Sequence, residues 1–382
     1  MLILVINCGS SSVKYNLFDV ESEKSPCKGV IERIGQKGAS LDHKKNGASL
    51  QKEQLSCRNH YEAIEIIANI LIHPEKGVLS SLLDVAGIGH RVVHGGEEFK
   101  AATLVKEDVI NHIEKFSELA PLHNPPSLAG IKGCLKIFPD VKQVAIFDTA
   151  FHQTMPEYAY CYGIPYEFYK KYAIRRYGFH GTSHRYISIK AAELLKKPIA
   201  EVNLITVHLG NGCSISAIEG GKSVDTSMGF TPLEGLLMGT RAGDIDPAVV
   251  FFLMKKENFT VEQIDDVLNK KSGLLGVSGV SNDMRDLLDA IKEGNHRARL
   301  AYDIFVYRIK KYIGAYSAVL GRVNAVAFSA GIGENVPEIK EEIEKHLKEM
   351  LPNTKFLTVK TNEELLIAKD TYALINTIPA CK

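Results

Sequence analysis

The chain opens with MLILVINCGSSSVKYNLFD, residues 1–19. The unbroken apolar run Leu2 to Ile6 predicts a strand buried on both faces of a central sheet. Asn7-Cys8-Gly9-Ser10-Ser11-Ser12 then makes a tight turn, and Val13 to Val20 predicts a second strand. Such a turn offers backbone N–H groups, serine hydroxyls and Lys14 to an anion, although on its own a Gly-Ser hairpin is usually just a turn. The Walker pattern G-x-x-x-x-G-K-[ST] occurs nowhere in the chain. The same plan returns at Asn203 to Val207, an apolar strand followed by the turn His208-Leu209-Gly210-Asn211-Gly212 and a returning strand Cys213 to Glu219. Two such hairpins, each followed by further strands and helices, predict a duplicated two-domain α/β architecture; the bland alternative is a chance likeness of two glycine turns.

Composition narrows the class. A chain of 382 residues is long enough for two or three domains and a full core. Hydrophobic content of 45% with 24% charged residues is that of an ordinary soluble globular protein. Lys plus Arg (46) balance Asp plus Glu (45), so no global field favours nucleic acid or a membrane, and an anionic ligand must be met by local charges. The seven cysteines are scattered without a C-x-x-C pair, the pattern of reduced thiols in a cytoplasm. MLILVIN is too short and lacks a cationic stretch, so no signal peptide is expected. No apolar run approaches the roughly 20 residues of a spanning helix.

Between the hairpins, Gly29 to Asn59 is polar and predicts one more strand and a solvated insertion around Lys44 to Lys52. Helical spacing predicts helices over Tyr61 to Ile72, Asp108 to Leu119 and Ser127 to Phe138. The connector Ala120 to Pro126 is expected to be held non-helical by its two prolines. Strands are predicted at Asp84 to Val93, Gln143 to Phe147 and Val323 to Phe328. Further helices are predicted at Asp246 to Lys256, Val261 to Lys271, Asn282 to Glu293 and Arg297 to Leu320. Phe305, Ile309, Tyr312, Tyr316 and Leu320 form one stripe, read as core or interface packing. Thr361 and Glu364 have the spacing of a capping box for a last helix.

Polar groups gather just past predicted strand ends: Asn7 to Ser12, Arg91 and His94, Asp148, His208 to Gly212, and Gly331 to Asn335. In an open α/β sheet that rim is where ligands sit. Arg91 suits a carboxylate or phosphate fork, or a strand-end ion pair. Asp148 can hold Mg²⁺, polarise a nucleophile or cap the next segment. The segment RRYGFHGTSH, residues 175–184, is too glycine-rich for a helix interior; His180 suits a phosphoryl group, and no thiolate is spaced for a zinc site. Arg241 lies in a glycine turn ahead of a helix, placed either to reach a cleft or to stand as a surface charge.

The series NCGSSSVK, RVVHGG, FDTAFH, RRYGFHGTSH, HLGNGCS, DTSMGFTPLEGLLMGTRAGDIDP, AGIGEN and TNEEL resembles the acetate kinase family in order and over essentially the full length. That resemblance implies the duplicated ribonuclease-H-like (actin-like ATPase) fold, with two domains and a ligand cleft between them. Domain boundaries are expected at 1–149, joined by a C-terminal helix of about 364–382, and at 150–363. It implies reversible transfer from ATP to acetate, with ADP as the other co-substrate, Mg²⁺ as metal (Mn²⁺ able to substitute), a homodimer and a cytoplasmic enzyme. By resemblance, Asn7 and Glu363 organise the metal, while Ser10, Ser12 and Lys14 lie by the phosphoryl path. Arg91 binds the acyl carboxylate, and Asp148, His180, Arg241 and His123 are catalytic. His208, Leu209, Gly210, Asn211 and Gly212, Asp283, Met284 and Arg285, and Gly331, Ile332, Gly333, Glu334 and Asn335 hold the nucleotide. Val93, Leu122, Phe179 and Pro232 form the acyl pocket. Cys8 stands where alanine is commoner in the family.

The chemistry agrees. A carboxylate has a pKa of about 4 to 5 and is already a nucleophile at neutral pH, so Asp148 is not needed as a base. Direct in-line transfer is expected, although a phosphoenzyme stays open. Two other readings are a kinase of propionate or another short-chain fatty acid, and a nucleotide-switched chaperone-like or filament-forming protein.

Overall fold

A computed structural model of the protein describes residues 1–50, 52–121 and 123–377. The chain divides into two compact units, Met1–Ala150 together with the segment from Asn362 onward, and Phe151–Thr361. No helix among the described residues is long and apolar enough to cross a membrane.

In the first unit the opening stretch forms β1 (Leu2–Gly9) and β2 (Ser12–Asp19), paired antiparallel from Leu2↔Asp19 to Gly9↔Ser12. The polar segment that follows is more ordered than its composition predicts. It supplies β3 (Lys24–Glu32), β4 (Ser40–Lys45), β5 (Ala48–Ser49) and β6 (Glu53–Gln54). The reason is visible at His43, buried in β4, whose Nδ1 pairs with the Tyr15 hydroxyl at 2.6 Å. With β7 (Val85–Val92), β8 (Thr103–Leu104) and β9 (Lys142–Phe147), the sheet runs β5-β4-β3-β2-β1-β7-β9-β8, with β6 on β4. β7 is parallel to β1, and β9 is parallel to β7.

Helices cover both faces. His60–Leu71, capped by the Asn59 side chain, buries Ala63, Ile64, Ile67 and Leu71 against one face. The helix Asn124–Ile137 lies beside it, and so closely on β1 that a Cβ on Gly130 would collide with Cys8 Sγ. This helix corrects the reading of Pro125 and Pro126. They form its first turn, where a missing N–H costs nothing and a fixed φ favours the helix. The opposite face packs Ile3, Val5, Phe18, Val144 and Ile146 on Leu365, Ile367 and Ala368 of the helix Glu363–Thr377. The expected capping box is not formed. Asn362 Oδ1 accepts from Leu365 N–H at 3.2 Å, while Glu364 is drawn instead to Asn16 Nδ2 at 2.7 Å.

The second unit repeats the plan. β10 (Asn203–Leu209), β11 (Cys213–Glu219), β12 (Lys222–Thr226), β13 (Ala325–Ser329) and β14 (Lys355–Thr358) lie in the order β12-β11-β10-β13-β14. The pairings are antiparallel, antiparallel, parallel and parallel, matching β3-β2-β1-β7-β9. One face packs on the helix Gly181–Leu195 through Ile187, Ala191, Leu204 and Ile218. The long helix His296–Leu320 buries Phe305, Ile309, Tyr316 and Leu320, so the predicted stripe is mostly core. Gly181 to His184 belong to a helix after all, because its first turn tolerates glycine and hydroxyl residues. The segment just past β13 is also helical. Ala330–Asn335 is a short helix, closed by Glu334 Oε1 accepting from Ala330 N–H at 2.9 Å.

Candidate active site

In the first unit, strand alternation sends Ile3, Val5 and therefore Asn7 to the face covered by the helix Glu363–Thr377. Lys14 is Asn7's register partner and shares that face. Gly87 and Gly89 of β7 also approach this helix, where added Cβ atoms would meet Ile375, Ile367 and Thr371, so Arg91, two residues on, faces the same way. Arg91 makes a two-pronged fork with Asp148, Nε–Oδ1 3.0 Å and Nη2–Oδ2 2.7 Å. Asp148 is 1% exposed at the end of β9, and its N–H is held by the Val92 carbonyl. Burial works to lower the Arg91 pKa, but the carboxylates of Asp148, Glu363 and Glu364 outweigh it and hold the guanidinium above its ordinary value. Glu363 and Glu364 sit in the first turn of their helix, where the dipole favours anions. Ser10 and Ser12 lie at the β1–β2 turn, and Ser12 Oγ is 3.0 Å from where a Cβ on Gly9 would stand. His123 precedes the helix Asn124–Ile137 without capping it through its side chain. Val93 is half-buried just beyond β7, and Leu122 lies outside the described residues.

The second unit carries a lattice of histidines. His180 stands in the left-handed region (φ 56°) just before the helix Gly181–Leu195. Its Nδ1 bonds Ser214 Oγ at 2.8 Å, and its ring stacks on His208 with centroids 4.2 Å apart. His184, one helical turn on, bonds Ser214 Oγ through Nε2 at 2.8 Å and Thr206 Oγ1 through Nδ1 at 2.7 Å. His208 Nδ1 bonds Ser183 Oγ at 2.8 Å. Burial, with smaller contributions from His152 and His208, pushes His184 well below its ordinary pKa, so it is neutral. Sequence reading named His180 but missed Thr206, Ser214, Ser183 and His184. For Thr206 and Ser214 a signal was present: Thr206 and His208 in β10, and Ser214 and Ser216 in β11, put polar groups on one face of strands whose only other polar residues are the terminal Asn203 and Glu219.

Arg241 Nη1 donates to the Pro232 carbonyl at 3.2 Å, and no carboxylate pairs with this guanidinium among the described residues. Burial lowers its pKa, opposed only by Cys213. A Cβ on Gly212 would stand 3.3 Å from Arg241 Nη1, 3.3 Å from His180 Cε1 and 3.5 Å from His180 Nε2. The two cationic or donor groups thus converge on the bare backbone of the β10–β11 turn. Gly273 (φ 65°) lets the Arg241 loop pack closely, since a side chain there would strike the Met238 and Arg241 carbonyls. Phe179 is buried, with its carbonyl bonded by His152 Nε2 at 3.1 Å.

Beside the turn lies a cavity of about 450 Å³ lined by Gly210, Asn211, Asp283, Arg285, Gly331 and Asn335, with Asn282, Met284, Ile332 and Val336 completing the wall. Its volume is that of a small-molecule site. Asp283 forks with Arg285 (3.0 and 2.6 Å), and those bonds hold its carboxyl down at about 2. His208, Leu209 and Gly212 lie off this wall. So do Gly333, packed on Leu209 and Phe328, and Glu334, whose carboxylate is spent on Ala330 and Thr361 amides.

The doubled sheet plan and these converging donors define a two-domain protein of the actin-like α/β class. Family comparison is specific: residues 2–375 match the model of the Acetokinase family, and the chain belongs to that family. It is 54% identical over 398 residues to an acetate kinase of Caldicellulosiruptor saccharolyticus, covering 98% of this chain and 100% of that one. The solved acetate kinase of Porphyromonas gingivalis superposes with a TM-score of 0.94 at 42% identity, covering 98% and 99% of the two chains. A propionate kinase from Francisella tularensis gives 0.92 at 40% identity, covering 97% and 99%.

Proposed function

We propose that the protein is an acetate kinase, transferring the γ-phosphoryl of ATP reversibly to the carboxylate of acetate to give acetyl phosphate and ADP. The acetate kinases among its relatives support the acceptor. The observation that carries the transfer chemistry is Arg241: a half-buried guanidinium with no carboxylate partner among the described residues, beside His180 at a glycine turn that opens on a cavity. A cation partly stripped of water and left without a counter-charge favours an anion that arrives later, and the charge on a phosphoryl in transit is such an anion.

In this reading the cavity takes the nucleotide, with Gly210 and Asn211 toward its phosphates and Asp283 to Arg285 also lining it. Arg241 and His180 stabilise the equatorial oxygens of the transferring group. Arg91 receives the acyl carboxylate, held in aim by Asp148, which acts as a positioning group and not as a base. Val93, Phe179 and Pro232 supply apolar contact for the methyl group. Mg²⁺ is the metal: Asn7 and Glu363 offer hard oxygen ligands, and no cluster of three acidic, His or Cys ligands exists among the described residues. That donor set fits an ion that keeps waters and phosphate oxygens in its shell. When bound, Mg²⁺ supplies charge neutralisation on the phosphates. A homodimer through the second unit is supported by exposed Phe251 and Phe252 on the helix Pro247–Glu257. A cytoplasmic enzyme follows from the same reading. The propionate kinase among similar structures supports propionate as a poorer second substrate.

The test is Arg241→Ala, measured by coupled ADP release and by ATP titration calorimetry. The expected result is kcat lower by roughly 10²–10³ with ATP affinity retained; near-normal kcat would overturn the reading.

A further inference from the structure

The bonds around His184 leave only one satisfactory arrangement of their hydrogens. Thr206 is fully buried, and its hydroxyl has one partner among the described residues, His184 Nδ1. If His184 carried its proton on Nδ1, it would donate to Thr206 Oγ1, and the Thr206 O–H would be buried with no acceptor, the costly outcome for a polar group. With the proton on Nε2, every hydrogen is used. Thr206 O–H donates to His184 Nδ1, His184 Nε2–H donates to Ser214 Oγ, and the single Ser214 hydrogen is left to donate to His180 Nδ1.

We propose that the chain Thr206–His184–Ser214 holds His180 Nδ1 as a hydrogen-bond acceptor, so that the His180 proton sits on Nε2, the nitrogen that shares the Gly212 turn with Arg241. His184, Ser214 and Thr206 are then positioning residues for the reaction: they choose which His180 nitrogen is a donor, a choice that ring position alone does not make. His180 Nε2 and Arg241 Nη1 lie 3.5 and 3.3 Å from one locus at Gly212, left open because the residue there is glycine, and the hydroxyl at the far end of the chain can donate in only one direction. The inference rests on His180 acting as a donor to the phosphoryl group, and its test separates the two claims.

Long-range proton–nitrogen correlation spectra of the full chain labelled with ¹⁵N-histidine read the tautomer directly, with the His180 signals assigned by their loss in His180→Asn. The wild type is expected to show a bare Nδ1 and a protonated Nε2. Thr206→Val keeps the shape and removes the directing hydroxyl, so the ratio of tautomers is expected to move by about tenfold or more toward Nδ1–H. Ser214→Ala breaks the same chain at its other end and is expected to release the ratio in the same direction. A proton on Nδ1 in the wild type, or an unchanged ratio in both variants, would overturn the proposal. In Thr206→Val, kcat is expected to fall with the tautomer shift while ATP affinity holds. A shifted tautomer with wild-type kcat would leave the chain standing and overturn the donor role of His180.

Discussion

Gly212→Ala is the sharpest probe of how the β10–β11 turn works. Gly212 lies outside the positive-φ region, so alanine fits its backbone, and the nearest atoms to the new methyl are side-chain atoms. Those atoms are Arg241 Nη1 and His180 Cε1, each 3.3 Å away. Ordinary contact is about 3.5–4.0 Å, so both groups must retreat by a few tenths of an ångström. Loss of one transition-state donor costs about 10²–10³, and a misplacement of about 1 Å costs about 10². A smaller displacement of two donors at once predicts kcat lower by roughly ten- to hundredfold, or about 1.4–2.7 kcal/mol. ATP affinity is expected to stay within about threefold, and stability within about 1 kcal/mol. Coupled ADP release, calorimetry with ATP and thermal unfolding measure the three. A kcat within about twofold of wild type, with both KM values unchanged, would refute the convergence of Arg241 and His180 on this turn.

Arg91→Lys keeps the charge but loses the fork to Asp148, and an acetate KM raised by about tenfold or more is expected; an unchanged acetate KM would remove Arg91 from the acyl site. His90 is buried in β7 and burial holds its pKa at about 4, opposed by the Gln143 bond. Between about 6.5 and 4 the unfolded chain binds a proton that the native chain does not. Its stabilising contribution is therefore complete above about pH 6.5 and falls as pH drops, by about 2 kcal/mol at pH 5. Urea unfolding followed by circular dichroism at pH 7 and 5 should show that loss in the wild type, and a loss smaller by that amount in His90→Gln. Gly314→Ala lies within the helix His296–Leu320 and its Cβ would meet only Met350 Cε at 3.9 Å. A gain of about 0.5–1 kcal/mol is expected in the same assay, and destabilisation would show that the site is tighter than it looks.

The two hairpins were legible because an apolar run, a glycine turn and a second run leave few other pairings. The register even aligns Asn7↔Lys14 with His208↔Ser214, the pairs just before Cys8↔Val13 and Leu209↔Cys213 in the two hairpins. β4 was not legible, since Ser40–Lys45 is polar and gains its place from Tyr15–His43, a contact between distant residues. Pro125 and Pro126 were misread because the same residue that ends one helix begins another, and only position relative to the first turn separates the cases. At the site, strand ends marked Arg91, Asp148 and His208. The partners that hold these side chains in aim lie far off in the chain, as Arg91 and Asp148 do, and spacing does not report that meeting.

The central claim, that acetate is the acceptor of the phosphoryl group, is tested most directly by ADP release from ATP and Mg²⁺ with acetate, propionate, butyrate or no acid. Turnover is expected to depend on acetate, with propionate used at a kcat/KM lower by about 10- to 200-fold, the worth of one methylene in a small pocket. ATP turnover indifferent to acetate, or equal efficiency on butyrate, would contradict it.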